Sequence, residues 1–266
     1  MKKIIYYIDL FFTFIKLYFK RIMMYKLDFW LGVIPLVLTQ VIQLFFINIV
    51  FLNVESIKGW NINQVLLLYS FFIISSGLEN VIFYSLTQLK TYIFQGILDT
   101  VLIKPINEIF YIIIQEFNYY AIGQVFFGVI MLIYAINSLN LTVTIKSVFL
   151  IIYFILIATI ILAAITLTSV SFFLITEGTF SPLNIVISLQ QFLKYPITIF
   201  NKSIQCILTF IIPLAFVSFI PATYLLNKDV SAFKICFLEL IVACVISCIG
   251  IFIFYTGIKK YKGVGN

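Results

Sequence analysis

The chain has 266 residues, of which 63% are hydrophobic and 10% charged, and a formal net charge of +7; its mean hydropathy is +1.17. Water-soluble domains carry roughly a quarter charged residues, so this composition excludes a soluble globule and leaves a polytopic membrane protein. The absence of histidine removes the usual neutral-pH base and metal ligand, which disfavours most hydrolytic and haem-type sites, and the basic residues follow membrane topology rather than a nucleic-acid footprint.

Residues 1–28 are expected to form an interfacial amphipathic helix. Asp9, Thr13, Lys16 and Lys20 recur at helical spacing on one side, with apolar residues on the other. The segment is too charged to span, and its basic residues suit an anionic cytoplasmic leaflet. A secretory signal peptide does not fit, because Lys16, Lys20 and Arg21 would fall inside its apolar core or cleavage region. A single transmembrane domain is expected over 29–257 and a cytoplasmic tail over 258–266. The first span is about 30–52, with Trp30 at the interface and Pro35 near the inner end. Gln40 and Gln43 share one face of it. An amide without a partner is costly in lipid, so that face should look inward, toward a substrate path or another helix. The second span, about 62–86, carries Ser76, Glu79 and Asn80 in its inner half. An intramembrane carboxylate marks a functional site unless it is paired or lies near the headgroups.

The stretch 87–107, TQLKTYIFQGILDTVLIKPIN, interrupts the apolar pattern. Lys90, Gln95, Asp99, Lys104 and Asn107 stand among Ile and Leu at helix-like spacing, and Pro105 ends one short helix before the next begins. The expectation is a short amphipathic helix at the membrane surface, offering a partner one polar face while its apolar face anchors it; a plain connecting loop is the alternative. The third span, about 108–136, carries Glu116 and Asn118 near its inner end and Gly123 and Gly128 further out, where glycine permits close helix approach. The fourth, about 147–176, presents Thr159 with Ala163 and Ala164 with Thr168 as small-residue packing pairs. Beyond it, 183–200 is apolar but holds Gln190, Gln191 and Lys194, while 203–226 is more apolar but broken by Pro213 and Pro221. Either segment serves as the fifth span. If the first does, the second dips in from outside as two half-helices, an irregular backbone that needs cover from protein or a water-filled cavity. The last span, about 232–257, has Glu239 in its outer part. Four cysteines include no CxxC pair; Cys236, Cys244 and Cys248 read as small buried hydrophobes.

Eleven of the 17 Lys and Arg residues fall in the amino-terminal segment, in 87–107 and in the tail, against Lys58, Lys146, Lys228 and Lys234 on the opposite side. Both termini and 87–107 are therefore expected in the cytoplasm.

Two patterns carry a family resemblance. Gly96, Leu98, Asp99, Leu102, Lys104 and Pro105 fill an inner-loop pattern G-x-L-D-x-x-L-x-[KR]-P. Tyr195, Pro196, Pro213, Ala215, Phe216, Pro221 and Ala222 fill a late YP…IPxAF…PA pattern. With the basic amino-terminal helix and six spans, nearly the whole chain resembles the permease subunits of type-2 ATP-binding-cassette exporters, and a bacterial branch of them in particular. The resemblance implies an all-α polytopic membrane protein of six transmembrane helices with an N-terminal interfacial helix, a cytoplasmic coupling helix and a re-entrant helical pair before the last span. It implies that 87–107 docks in a cleft of an ATPase subunit through Gln95, Gly96, Leu98, Asp99, Leu102, Lys104 and Pro105. It also implies that 203–226, introduced by Tyr195 and Pro196 and broken at Pro213 and Pro221, is the re-entrant pair, which makes 183–200 the fifth span. Two permeases, identical or related, would assemble with two ATPases among the lipids of a bacterial cytoplasmic membrane.

No GxxxxGK[ST] loop occurs in the chain, so ATP and magnesium belong to the separate ATPase; the chain is expected to bind no cofactor and to be no enzyme by itself. Gln40, Gln43, Ser76, Glu79, Asn80 and Glu116 are the candidates for a polar substrate path. The expected function is export of an amphiphilic or hydrophobic cargo (a peptide, a lipid-like molecule or a drug) by alternating access. Two rivals differ in class. An ion-coupled carrier would relay through Glu79, Glu116, Lys194 and Glu239, but no internal repeat supports it. A membrane-embedded lipid-modifying enzyme needs clustered nucleophiles, acids or metal ligands, which the scattered carboxylates do not supply.

Overall fold

A computed structural model describes residues 2–227, 231–261 and 263; Lys228 and Lys262 of the charge balance, and 264–266 of the tail, lie outside the described residues. The helices are α1 (Lys2–Met24), α2 (Lys26–Asn53), α3 (Ile62–Thr87), α4 (Leu89–Phe94), α5 (Ile97–Leu102), α6 (Glu108–Gln115), α7 (Ile122–Ser138), α8 (Ile145–Ile175), α9 (Leu183–Gln190), α10 (Lys202–Cys206), α11 (Phe219–Asn227) and α12 (Ala232–Lys260). Among the described residues, five helices are long and apolar enough to cross a membrane: 26–53, 62–94, 119–138, 145–175 and 232–260.

Local chemistry sets the helix starts. Asn61 and Gln64 form a reciprocal cap on α3, Gln64 N donating to Asn61 Oδ1 at 3.0 Å and Asn61 N to Gln64 Oε1 at 3.1 Å. Thr144 caps α8 by accepting from Ser147 N at 3.2 Å. Between α2 and α3 the chain turns tightly, with Ile57 and Trp60 exchanging backbone hydrogen bonds of 2.9 and 3.0 Å.

Four expected boundaries change. The first helix ends at a non-helical Tyr25 and α2 starts at Lys26, so the division expected between 28 and 29 falls inside α2; nothing in 26–30 breaks a helix. The span expected at 108–136 is broken, with Glu116 extended at φ −145° and ψ 133° and a 3-10 turn at Tyr119–Ala121 before α7. The cause is α1. Phe117 packs against Phe11 and Tyr18 with ring centroids 5.8 and 5.3 Å away, and the Tyr18 hydroxyl donates to Gln115 O, a carbonyl the break leaves without a helical partner. The segment 87–107, expected as one short amphipathic helix, is two short helices divided at Gly96, whose φ of +68° only glycine adopts without strain.

The fourth change concerns 183–200, expected as a fifth span. It is the eight-residue α9 followed by 3-10 turns at Gln191–Lys194 and Ile197–Ile199. Eight helical residues rise about 12 Å, well short of the roughly 30 Å hydrocarbon layer. Gln190, Gln191 and Lys194, with Pro196 next, stop the helix from continuing. The chain then runs through α10 and a wider turn at Ile207–Ile211 before reversing at Ile212 and Pro213. Pro213 lies well inside the bundle, beside Ile165 and Ser169 of α8 and Ile246 and Ile249 of α12. From there the chain climbs through α11 to the end carrying the α2–α3 and α7–α8 turns, where Phe219 meets Trp60 at 5.6 Å and Tyr224 meets Phe154 at 5.6 Å.

Two cores hold the bundle. The larger surrounds α3, with Tyr69, Phe71, Phe154, Leu208 and Leu214 fully enclosed among α3, α8 and the broken 183–227 segment. The smaller joins the α4–α5 hairpin to α3, α6, α8 and α12. In lipid, close packing rather than the hydrophobic effect drives such association. The most extensive helix pairing is α8 with α12. A Cβ at Gly250 would stand 3.1 Å from Ala164 O and 2.9 Å from Thr168 Oγ1, so the Ala164–Thr168 pair is a packing face. The packed face of α12 carries Glu239, Ala243, Gly250, Phe254 and Gly257. Cys244 and Cys248 therefore lie on its exposed side and Cys236 is only half-buried, which corrects the expectation that all three are buried.

Candidate functional site

The hairpin of α4 and α5 has two faces. Leu98 and Val101 turn inward and are 0% exposed, packed in the smaller core with Leu89, Ile112, Leu167 and Phe254. Phe94 and Ile103 turn outward, 62% and 83% exposed, among exposed Lys90, Gln95, Lys104 and Pro105. Gly96 makes the turn, and Asp99 and Leu102 are half-buried at its edge. Of the seven residues expected to meet an ATPase, Gln95, Lys104 and Pro105 are on the free face, whereas Leu98 is inside.

Polar and aromatic contacts fasten the hairpin to its surroundings. The Lys90 ammonium lies 5.3 Å from the Phe173 ring centroid, and the Lys104 ammonium, 4.0 Å from the Tyr111 centroid, also donates to the Tyr111 hydroxyl. Asn107 caps α6 by accepting from Phe110 N at 3.0 Å, and its amide donates to Tyr255 of α12 at 2.8 Å. Tyr7 of α1 accepts from Asn107 N at 3.1 Å. The tail returns over Asp99: a Cβ at Gly263 would lie 3.3 Å from Asp99 Oδ1. Burial, and then the neighbouring Asp99 charge, push the Tyr261 hydroxyl up to about 12, so it stays neutral there.

A second feature lies within the bundle. Gln40 and Gln43 of α2, Ser76, Glu79 and Asn80 of α3, Gln124 of α7, Thr166 of α8 and Gln190 of α9 line one cavity of about 250 Å³. The Tyr69 hydroxyl bridges Gln40 Oε1 and Gln43 Oε1 at 3.0 Å each. Gln124 Nε2 donates to Ser76 Oγ at 2.9 Å, and Thr166 Oγ1 donates to Glu79 Oε1 at 2.8 Å. Five of the six expected path residues thus meet. The sixth, Glu116, does not; it is exposed at the break between α6 and α7, beside Tyr18 of α1, whose hydroxyl is raised by burial and then by the Glu116 charge. Gln124 and Thr166 are not among the expected residues; Gln124 is a single amide in the apolar first part of α7, and Thr166 is one of several hydroxyls in α8, with Thr159, Thr168, Ser169 and Ser171. Among the described residues no three acidic or thiol groups gather within reach of one metal ion.

Tyr195 and Pro196 separate the two 3-10 turns after α9, Pro213 marks the reversal inside the bundle, and Pro221 sits in the first turn of α11, where proline is tolerated.

The family model for ABC-2 family transporter proteins matches residues 37–265, a stretch that contains the hairpin, the cavity and the reversal at Pro213. The chain belongs to the ABC-2 transporter family. No curated protein and no solved structure matches it. An ABC-2 protein is the multi-pass membrane component of an ABC transporter, so this chain is a permease whose partner is an ABC ATPase subunit. Chemical energy enters through that partner, and the permease must offer it a surface and transmit its motion. The α4–α5 hairpin presents Phe94 and Ile103 on an exposed face and packs its other face against α8 and α12.

Proposed function

We propose that this ABC-2 permease exports an amphiphilic or hydrophobic cargo by alternating access, with the α4–α5 hairpin seated in the ATPase. Both termini and the hairpin then face the cytoplasm of a bacterium, in line with the excess of Lys and Arg at that end, and a second permease, identical or related, completes the transporter. Pro213 marks the tip of a re-entrant pair formed by 203–226. ATP-driven closure of the motors pushes on the hairpin, which tilts α8 and α12 and changes the side to which the cargo path opens.

The observation that carries this reading is the opposition of Leu98, 0% exposed, to Ile103, 83% exposed, on one short hairpin. An apolar side chain held out beside Lys90 and Lys104 offers a partner an apolar contact with a charged border, and its enclosed counterpart makes the hairpin stiff enough to pass a push onward. Phe94 adds the second apolar contact on the free face. Leu98 and Leu102 hold the hairpin in place, while Gln95, Lys104 and Pro105 border the contact. The test is ATP-dependent transport in inverted vesicles by a Phe94→Ala, Ile103→Ala double variant. Transport should fall at least tenfold with normal membrane insertion; full transport contradicts the proposal.

A further inference from the structure

We infer that the cavity around Glu79 is a binding site for an ammonium group at the head of the cargo. The cargo part of this inference rests on the exporter reading above; the binding itself does not.

Glu79 is 6% exposed and borders the cavity. Thr166 donates to its Oε1, and among the described residues nothing donates to Oε2. Among the described residues, no lysine or arginine borders the cavity. Asn80 and Gln124 both commit amide nitrogens to Ser76, on its carbonyl at 2.9 Å and its hydroxyl at 2.9 Å, which leaves their oxygens uncommitted. A buried carboxylate in a cavity that amide side chains also line wants donors and a positive charge, and a primary ammonium brings three donors and no acceptor.

Glu239 provides the contrast. It is 0% exposed and, among the described residues, neither of its oxygens is hydrogen-bonded, so no open room reaches its carboxyl. Glu79 has that room. Its cavity, about 250 Å³, is smaller than the roughly 300–1,000 Å³ of drug-sized sites, so it admits a head group and not a whole cargo. Thr39, Ile187 and Gln191 are exposed at its rim, next to outward apolar residues such as Leu38 and Ile185. An apolar tail would remain along that surface while the charged head enters. Lys194 donates to Gln191 Oε1 of this rim and, among the described residues, makes no ion pair with Glu79.

The test uses the full chain in phosphatidylcholine nanodiscs, without ATPase, and follows the thermal unfolding midpoint as hexylammonium chloride is added. Hexanol serves as the neutral isostere and sodium chloride as the inorganic cation. The site predicts a rise with hexylammonium in wild type and in Lys194→Met, no rise with hexanol or sodium, and loss of the rise in Glu79→Gln. An equal rise with hexanol, an equal rise with sodium, a rise that survives in Glu79→Gln, or one seen only in Lys194→Met would each overturn it. If Glu79→Gln does not assemble, Asn80→Ala decides: removing one acceptor for a charged donor should raise the hexylammonium concentration needed by roughly tenfold, and an unchanged dose dependence overturns the site. Because no ATPase is present, a negative result leaves hairpin docking untouched, and failed docking leaves this site standing.

Discussion

The Lys90 ammonium of the hairpin lies 5.3 Å from the ring centroid of Phe173 near the end of α8, and Phe94 meets the same ring edge-on at 5.5 Å. If the ATPase pushes on the hairpin as proposed, the push meets α8 through this edge-on contact, and α12 through the close approach of Gly250 to Ala164. Phe173→Leu keeps the bulk but removes both aromatic contacts, each worth about 0.5–1.5 kcal/mol. The expected outcome is unchanged capture of the ATPase with less cargo moved per ATP hydrolysed, read by paired transport and hydrolysis assays. Equal coupling in the variant would show that motion reaches α8 by another route.

The two faces of the hairpin should separate in stability. Leu98→Ala empties a fully enclosed position and should cost about 2–5 kcal/mol, whereas Ile103→Ala, on the free face, should stay within about 0.5 kcal/mol. Denaturant unfolding of the two purified variants measures both. Comparable losses would mean that the exposed face is already covered within the chain.

Gly96 holds φ at +68°, so Gly96→Val forces a branched side chain into the left-handed region at a cost of about 1–2 kcal/mol. The loss should be local. Hydrogen exchange is expected to accelerate in 89–102 while the interior of α3 keeps its protection.

Among the described residues Glu239 has no donor for either oxygen, and it is 0% exposed. Replacing an unpartnered buried acid by a neutral isostere removes a desolvation cost. Glu239→Gln should therefore melt no lower than wild type in detergent, while Glu239→Lys should prevent assembly. A large loss in Glu239→Gln would reveal a partner for the carboxyl.

Much of the architecture is legible in the apolar runs, because every backbone group in lipid must be satisfied within a helix and long apolar segments announce it. The polarity of 87–107 marks an interruption between spans but not its division at Gly96, and hydropathy leaves 183–200 and 203–226 both open as a fifth span, so that only the family resemblance favours a break at Pro213. What the sequence conceals is tertiary in origin. The break at Glu116 follows from Tyr18 and Phe117, residues about a hundred positions apart that meet only when α1 lies across α6. The shortness of α9 is written in Gln190, Gln191, Lys194 and Pro196, but as polar residues in an apolar segment they fit a spanning helix equally well. In the cavity, Glu79 and its neighbours on α3 stand out as a polar cluster, while Gln124 and Thr166 join them through helix rotation that single polar residues do not encode.

The central claim, that the hairpin is where the motor grips this permease, is tested most directly by a photo-crosslinking amino acid placed at Ile103 and, separately, at Leu98 in the assembled transporter. The account predicts that Ile103 crosslinks to the ATPase subunit and Leu98 to the permease's own chain. An assembly that transports normally yet gives no ATPase crosslink from Ile103 would contradict it.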